Sequence, residues 1–244
     1  MELNRRQFVN LATGSVATCL LAAIVPAVNN SVPRIKAIAF DGFTTFDPRS
    51  VSALAERLFP GRGAELSNVW RTRQFEYTWL RTVCGRYADF WKVTEDALVF
   101  ATKMLKLELS LEKRQRLMQA YLELKSYPDA LPALKSLQET GVRLAFLSNL
   151  TPYMLDSAIK SSGLEGIFEA SLSTDRVRVY KPDPRACQMG VDAFMLKREE
   201  IVFAAFGGWY AADAKLFGYP TFRVNRLYLP LRNWVPRPTE SAKI

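Results

Sequence analysis

Three short segments of the sequence place reactive side-chain types beside apolar runs. Asp41 follows the apolar residues 35 to 40, the pair Ser148 and Asn149 ends another apolar run, and Lys181 precedes a predicted helix. A carboxylate held beside an ammonium stays ionised and oriented, as a carboxylate nucleophile requires. Taken singly, Asp41 also suits a turn and Lys181 a solvated loop. The ordered set favours covalent catalysis by an aspartate.

The elements that must position these side chains follow from hydrophobic patterning. Near-continuous apolar runs indicate strands buried on both faces of a parallel sheet, and they occupy residues 35 to 40, 142 to 148, 201 to 206 and 220 to 225. Amphipathic segments between them predict helices, over residues 129 to 140, 151 to 162, 184 to 196 and 209 to 217. This alternation predicts an α/β fold with a Rossmann-like parallel-sheet core, whose ligands bind at the carboxyl ends of the strands.

A helical insertion interrupts the alternation. Residues 50 to 126 contain no strand-like run, and their apolar residues recur at helical spacing. We therefore predict a helical cap domain at 48 to 126, inserted after the first strand of an α/β core at 34 to 47 and 127 to 229. The proline-containing segment 230 to 244 is predicted to be an irregular tail.

Composition excludes several functions. The chain has 244 residues and no histidine, which rules out Ser-His-Asp and Cys-His catalysis and every histidine-ligated metal site. The net charge is +9, but the basic residues are scattered and no nucleic-acid-binding motif accompanies them. No nucleic-acid partner is therefore expected.

The first 27 residues have the layout of a signal peptide. A basic start containing Arg5 and Arg6 precedes a weakly apolar segment and a small-residue end at Ala27. The paired arginines resemble a twin-arginine export signal, which predicts the twin-arginine export machinery as a partner and a periplasmic location. The alternative is an uncleaved membrane anchor, since residues 11 to 28 carry no charge.

The motifs carry a family resemblance. FDxxxT, LSN and YKP in this order, together with cap stretches such as RTRQFEYTWL and GRYADFWKVTEDAL, resemble the haloacid dehalogenase superfamily, and more narrowly its type II branch, the (S)-2-haloacid dehalogenases. The resemblance implies hydrolysis of short 2-halocarboxylates to 2-hydroxy acids in two steps, with no metal and no cofactor. It also implies that a homodimer is possible.

The resemblance assigns roles by position. Asp41 is the implied nucleophile, Lys181 orients it, and Thr45 hydrogen-bonds near it. The implied binding residues are Arg71 and Asn149 for the halide and Ser148 for the substrate carboxylate. Three aromatic residues correspond to an apolar pocket wall, although plain packing explains them equally well: Phe75, Phe90 and Trp209.

The fourth motif departs from the family pattern. Ala205 and Gly207 replace a serine and an asparagine, and Tyr210 replaces the aspartate that helps to activate water for the second step. Cys187 stands where the family has a catalytic tyrosine, and Asp213 is a possible substitute base. Two expectations follow: a hydrolase with slow or stalled ester hydrolysis, or an inactive member that binds a small carboxylate or is structural.

Overall fold

The computed structural model describes residues 35 to 230 and 239 to 242. The predicted signal peptide at 1 to 27 lies outside these residues. None of the helices in the described ranges combines the length and the apolar character needed to cross a bilayer.

The core is a parallel sheet, as predicted. The strands are β1 (Ala37–Phe40), β2 (Phe46–Asp47), β3 (Lys125–Ser126), β4 (Arg143–Ser148), β5 (Ala170–Ser173), β6 (Ile201–Ala205), β7 (Thr221–Val224) and β8 (Glu240–Ala242). The large sheet has the order β5-β4-β1-β6-β7-β8, and every neighbouring pair in it is parallel. β2 and β3 form a separate antiparallel ladder.

Four strands were not predicted: the two-residue strand β2, and the strands β3, β5 and β8. β5 was not predicted because its residues, Ala-Ser-Leu-Ser, form no apolar run. β3 lies at residues 125 and 126, inside the stretch expected to hold only helices. β8 lies in the tail predicted to be irregular, and that expectation is wrong for residues 240 to 242, which extend the sheet by pairing with β7.

Helices cover the sheet and form the insertion. They are α1 (Gly42–Thr45), α2 (Arg49–Leu58), α3 (Gly63–Val83), α4 (Phe90–Met104), α5 (Leu111–Gln119), α6 (Ala130–Glu139), α7 (Pro152–Ser161), α8 (Pro184–Phe194) and α9 (Gly208–Phe217). Side-chain caps begin several of them: Asp89 accepts a hydrogen bond from the Lys92 amide at α4, and Ser110 accepts one from the Lys113 amide at α5. The insertion after β1 thus consists mainly of α2 to α5.

The central strand divides its side chains between two apolar layers. Ile38 and Phe40 pack in the layer that includes the cap, whereas Ala37 and Ala39 face the layer formed with α8 and α9. This alternation is the two-residue period of a strand. Because both faces are covered, β1 is fully buried and delivers Asp41 to the carboxyl edge of the sheet.

Hydrogen bonds fasten the cap to the core beside that edge. The Tyr87 hydroxyl donates to Asp175 Oδ1 at 2.5 Å, and the Tyr180 amide donates to Thr82 Oγ1 at 3.0 Å. The Tyr180 hydroxyl donates to the Ala88 carbonyl at 2.5 Å. These contacts hold the cap over the strand ends where the polar residues converge.

Candidate active site

Asp41 and Lys181 form a buried ion pair at the carboxyl end of β1. Asp41 begins α1 as its N-cap, and its Oδ1 accepts a hydrogen bond from the Phe43 amide at 2.9 Å. Its Oδ2 accepts from Lys181 Nζ at 2.7 Å, and the two residues are 3% and 0% exposed. A carboxylate fixed through both oxygens in a site closed to bulk water has the orientation that a nucleophile needs.

Lys181 is itself held from several directions. Its ammonium also donates to the Leu147 carbonyl at 2.9 Å and lies 4.4 Å from the ring centroid of Tyr210. Its backbone amide donates to Asn149 Oδ1 at 3.2 Å. The lysine is therefore a rigid partner that fixes Asp41 relative to β4 and α9.

The amide of Asn149 is engaged by a residue that departs from the family pattern. Asn149 Nδ2 donates to the Tyr210 hydroxyl at 3.0 Å, and Oδ1 also accepts from Thr174 Oγ1 at 3.3 Å. A side-chain amide carries two N–H donors, so one remains for an anion. If Asn149 has the implied halide role, one of its N–H groups binds the halide while the other holds Tyr210.

Ser148 and Gly42 lie in close contact beside the nucleophile. The Leu150 amide donates to Ser148 Oγ at 3.1 Å, which leaves the hydroxyl hydrogen for another acceptor. A β-carbon at Gly42 would lie only 2.8 Å from Ser148 Oγ. A side chain at position 42 would therefore displace the Ser148 hydroxyl, and glycine keeps that hydroxyl in place at the edge of the site.

Thr45 does not contact the Asp41 carboxylate through any described hydrogen bond. It is the last residue of the short helix α1, and its hydroxyl is 3.5 Å from that of Thr44. Thr44 Oγ1 in turn donates to the Asp41 carbonyl at 2.6 Å. In the part of the chain described, the Thr45 hydroxyl thus reaches Asp41 through Thr44 and the backbone rather than through the carboxylate.

Arg71 supplies a cation in an aromatic setting. Its guanidinium carbon lies 4.5, 5.0 and 5.9 Å from the ring centroids of Phe43, Phe75 and Phe206. Its Nη1 is buried with no hydrogen-bond partner among residues 35 to 230 and 239 to 242. A buried donor without an acceptor costs free energy, so this position favours an incoming anion. Phe43 and Phe206 were not predicted as site residues, although Phe43 closely follows a predicted strand and Phe206 ends another.

The three predicted wall residues have different surroundings. Phe75 meets Trp209 and Tyr210 edge-on, with ring centroids 5.3 and 6.2 Å apart, and so lies in the aromatic group around Arg71. Phe90 is fully buried, and its aromatic neighbour is Tyr180, at 6.2 Å. Phe90 therefore fits the alternative explanation given for it, packing between cap and core.

Trp209 explains why position 207 has no side chain. A β-carbon at Gly207 would lie 2.6 Å from an atom of the indole ring of Trp209. The indole thus occupies the space that an asparagine side chain would need. Restoring the family residue at this position requires Trp209 to move.

A second buried carboxylate, Asp213, lies one helical turn after Tyr210. The Cys187 thiol donates to Asp213 Oδ2 at 3.6 Å. Burial raises the pKa of Asp213 to about 6, against the opposing effect of the Lys181 charge. Burial and the nearby Asp213 raise the pKa of the Cys187 thiol. The hydrogen bond described for Asp213 therefore ties it to α8 rather than to Asp41.

Asp213 should make the stability of the protein depend on pH. Its pKa in the folded state lies above the ordinary value, so its contribution is complete below about pH 4 and is lost as the pH rises through about 6. We expect the free energy of unfolding of wild type, relative to Asp213→Asn, to fall by about 2 to 3 kcal/mol over this window. Urea unfolding of both proteins at pH 4 and pH 7 measures this difference, and an unchanged difference would contradict the assignment.

The fold and site together define a class of protein: an α/β protein with a buried aspartate–lysine pair at the carboxyl edge of a parallel sheet, under a helical cap. Within the described ranges, no three acidic or cysteine side chains come together in a way that would hold a metal ion. The sequence pattern of the haloacid dehalogenase-like hydrolases matches residues 25 to 204. The chain belongs to this family.

Characterised relatives cover most of the chain. It is 42% identical over 193 residues to an (S)-2-haloacid dehalogenase of Pseudomonas sp. (strain YL), a match that spans 79% of this chain and 83% of that protein. It is 40% identical over 194 residues to haloacetate dehalogenase H-2 of Moraxella sp. (strain B), across 79% and 87% of the two chains. These relatives are named for cleavage of carbon–halogen bonds.

Solved structures agree with the fold. The crystal structure of the L-2-haloacid dehalogenase RSc1362 superposes with a TM-score of 0.84 at 41% identity, over 85% of this chain and 94% of that one. The L-2-haloacid dehalogenase of Xanthobacter autotrophicus with chloropropionic acid covalently bound gives a TM-score of 0.79 at 34% identity, over the same shares. The second structure therefore shows a protein of this fold with chloropropionic acid bound covalently.

Proposed function

We propose that this protein is an (S)-2-haloacid dehalogenase-like hydrolase that converts short 2-haloalkanoates to 2-hydroxyalkanoates through an ester on Asp41. The observation that carries the proposal is the buried pair of Asp41 and Lys181, at 2.7 Å, with Arg71 held among aromatic rings nearby. The relatives named above support the substrate class.

The first step is a substitution at carbon. Each carboxylate oxygen of Asp41 accepts one described hydrogen bond and keeps a second lone-pair direction for attack. A bond forms from this oxygen to C2 of the substrate while the carbon–halogen bond breaks, and the halogen leaves as halide with the bonding electrons. The guanidinium of Arg71 receives the halide, and the Ser148 hydroxyl binds the substrate carboxylate.

The second step is hydrolysis of the ester, and none of the described residues of the site is an evident base for it. Water attacks the ester carbonyl of Asp41, the 2-hydroxy acid departs, and a base must take one proton from that water. Tyr210 is unsuited to this role, because burial, and secondarily the charge of Asp41, raises the pKa of its phenol. A phenol that stays neutral cannot accept the proton. Ester hydrolysis is therefore the slow step of the proposed cycle.

Halide release tests the function. With (S)-2-chloropropionate the protein should release chloride, whereas the (R) enantiomer should release much less because backside attack fixes the orientation of the halogen. Chloride should appear in a burst of one equivalent per protein followed by slow turnover, measured by ion chromatography beside intact protein mass. Absence of chloride together with tight binding of the acid by calorimetry would instead support an inactive carboxylate-binding protein.

A further inference from the structure

Arg223 is a buried cation outside the site described above. It lies on β7, opposite Ala205 of β6, and is 3% exposed. Its Nε has no hydrogen-bond partner, and no ion pair to its guanidinium is described among residues 35 to 230. Burial lowers its pKa. An arginine this deeply buried is ordinarily paired, because an unpaired buried charge destabilises the fold.

The guanidinium lies beside the N-terminus of α9. A β-carbon placed on Gly208, the first residue of this ten-residue helix, would lie 3.7 Å from Arg223 Cζ and 3.8 Å from Nε. The N-cap residue is Gly207, so no side chain caps the first turn. The amides of Tyr210 and Ala211 both donate to the Gly207 carbonyl, which makes these the first hydrogen bonds of the helix.

These two features carry charge of the same sign. A helix N-terminus behaves as roughly half a positive charge, because its first amides point outward without intrahelical acceptors. A buried guanidinium beside it is repelled, and neither group has a described anionic partner. An anion between the guanidinium and the helix N-terminus would pair with both positive groups, as anions do at other helix N-termini.

We propose that Arg223 and the first turn of α9 bind a small, singly charged anion, either a halide or a short carboxylate. The ligand must be small because Arg223 is almost fully buried and its neighbours are Ala205 and Gly208. One guanidinium matches one negative charge. The site differs from the surroundings of Arg71, whose guanidinium contacts the rings of Phe43, Phe75 and Phe206, and it does not require turnover.

Thermal unfolding with and without anions tests this site. The stability of Arg223→Met relative to wild type should be higher without small anions and lower with them. In a buffer of large, bulky anions, Arg223→Met should be more stable than wild type, because the variant removes a buried unpaired charge. Adding sodium chloride, or sodium acetate in a parallel series, should raise the Tm of wild type by about 5 °C or more near a hundredfold excess over the Kd. Arg223→Met should lose most of this rise, and the more effective salt identifies the ligand as halide or carboxylate.

Two matched variants separate this site from other sources of salt dependence. Arg57→Met removes one exposed charge from the cap and should keep the full rise in Tm. Arg71→Met removes the expected halide partner of the active site and should also keep most of it. The proposal is overturned if Arg223→Met responds to anions as wild type does.

Discussion

Asp41→Asn should abolish halide release, lowering the rate by on the order of 10⁴-fold or more. An amide has no negative charge with which to attack C2, while its oxygen still accepts the hydrogen bond that Asp41 Oδ1 receives from the Phe43 amide. Both the initial burst and the later turnover should disappear together. Stopped-flow measurement of chloride release during the first turnover checks this directly.

Loss of folding has to be separated from loss of the nucleophile. Asp41→Asn leaves the ammonium of Lys181 buried without its counter-ion, which costs about 3 to 5 kcal/mol in comparable cases. The double variant Asp41→Asn with Lys181→Met removes both charges and should recover much of that stability while remaining inactive. Halide release by either folded variant at a rate near that of wild type would contradict the assigned role.

Tyr210→Asp should raise steady-state turnover, by about 10² to 10⁴-fold if ester hydrolysis is the slow step. The phenol of Tyr210 is buried against Lys181 and accepts a hydrogen bond from Asn149. A carboxylate at this position gains a base and a cation beside it, and the smaller side chain leaves room for water. The burst should shrink as turnover rises, because the ester accumulates only while its hydrolysis is slower than its formation.

The matched control is Tyr210→Asn, which opens the same space without adding a base. It should show the burst but little gain in steady-state turnover, as measured by chloride release over many cycles. An equal gain in the Asp and Asn variants would mean that the bulk of the phenol, and not a missing base, limits turnover. No gain in Tyr210→Asp while the ester still accumulates would show that further changes, such as those at Ala205 and Gly207, are also needed.

Much of the fold can be predicted from local patterns of apolar residues in the sequence. Apolar runs predict β1, β4, β6 and β7, because a strand buried on both faces consists almost entirely of apolar residues. β5 and β8 contain no such apolar run, because they are the edge strands of the sheet and are recognised mainly by their backbone pairing. Asp41 and Lys181 were placed at one sheet edge by topology alone, and the structure brings them within 2.7 Å of each other.

The rest of the site depends on contacts between distant segments. Trp209 packs over Gly207 through a side-chain conformation that no local pattern specifies. The hydrogen bond of Cys187 to Asp213 joins two helices, and the isolation of Arg223 is a property of its surroundings rather than of its own segment. Such features become visible only when the packing is known, because burial determines whether a charged or polar group is costly.

A single turnover in water labelled with oxygen-18, with protein in excess over (S)-2-chloropropionate, tests the central claim most directly. If Asp41 forms the ester, mass spectrometry of its peptide should first show the propionate-derived adduct, and hydrolysis should then leave the label in the Asp41 carboxylate. The first 2-hydroxypropionate formed should be unlabelled at its hydroxyl. Labelled hydroxy acid in that first turnover, with an unmodified Asp41 peptide throughout, would mean direct attack by water and would contradict the account.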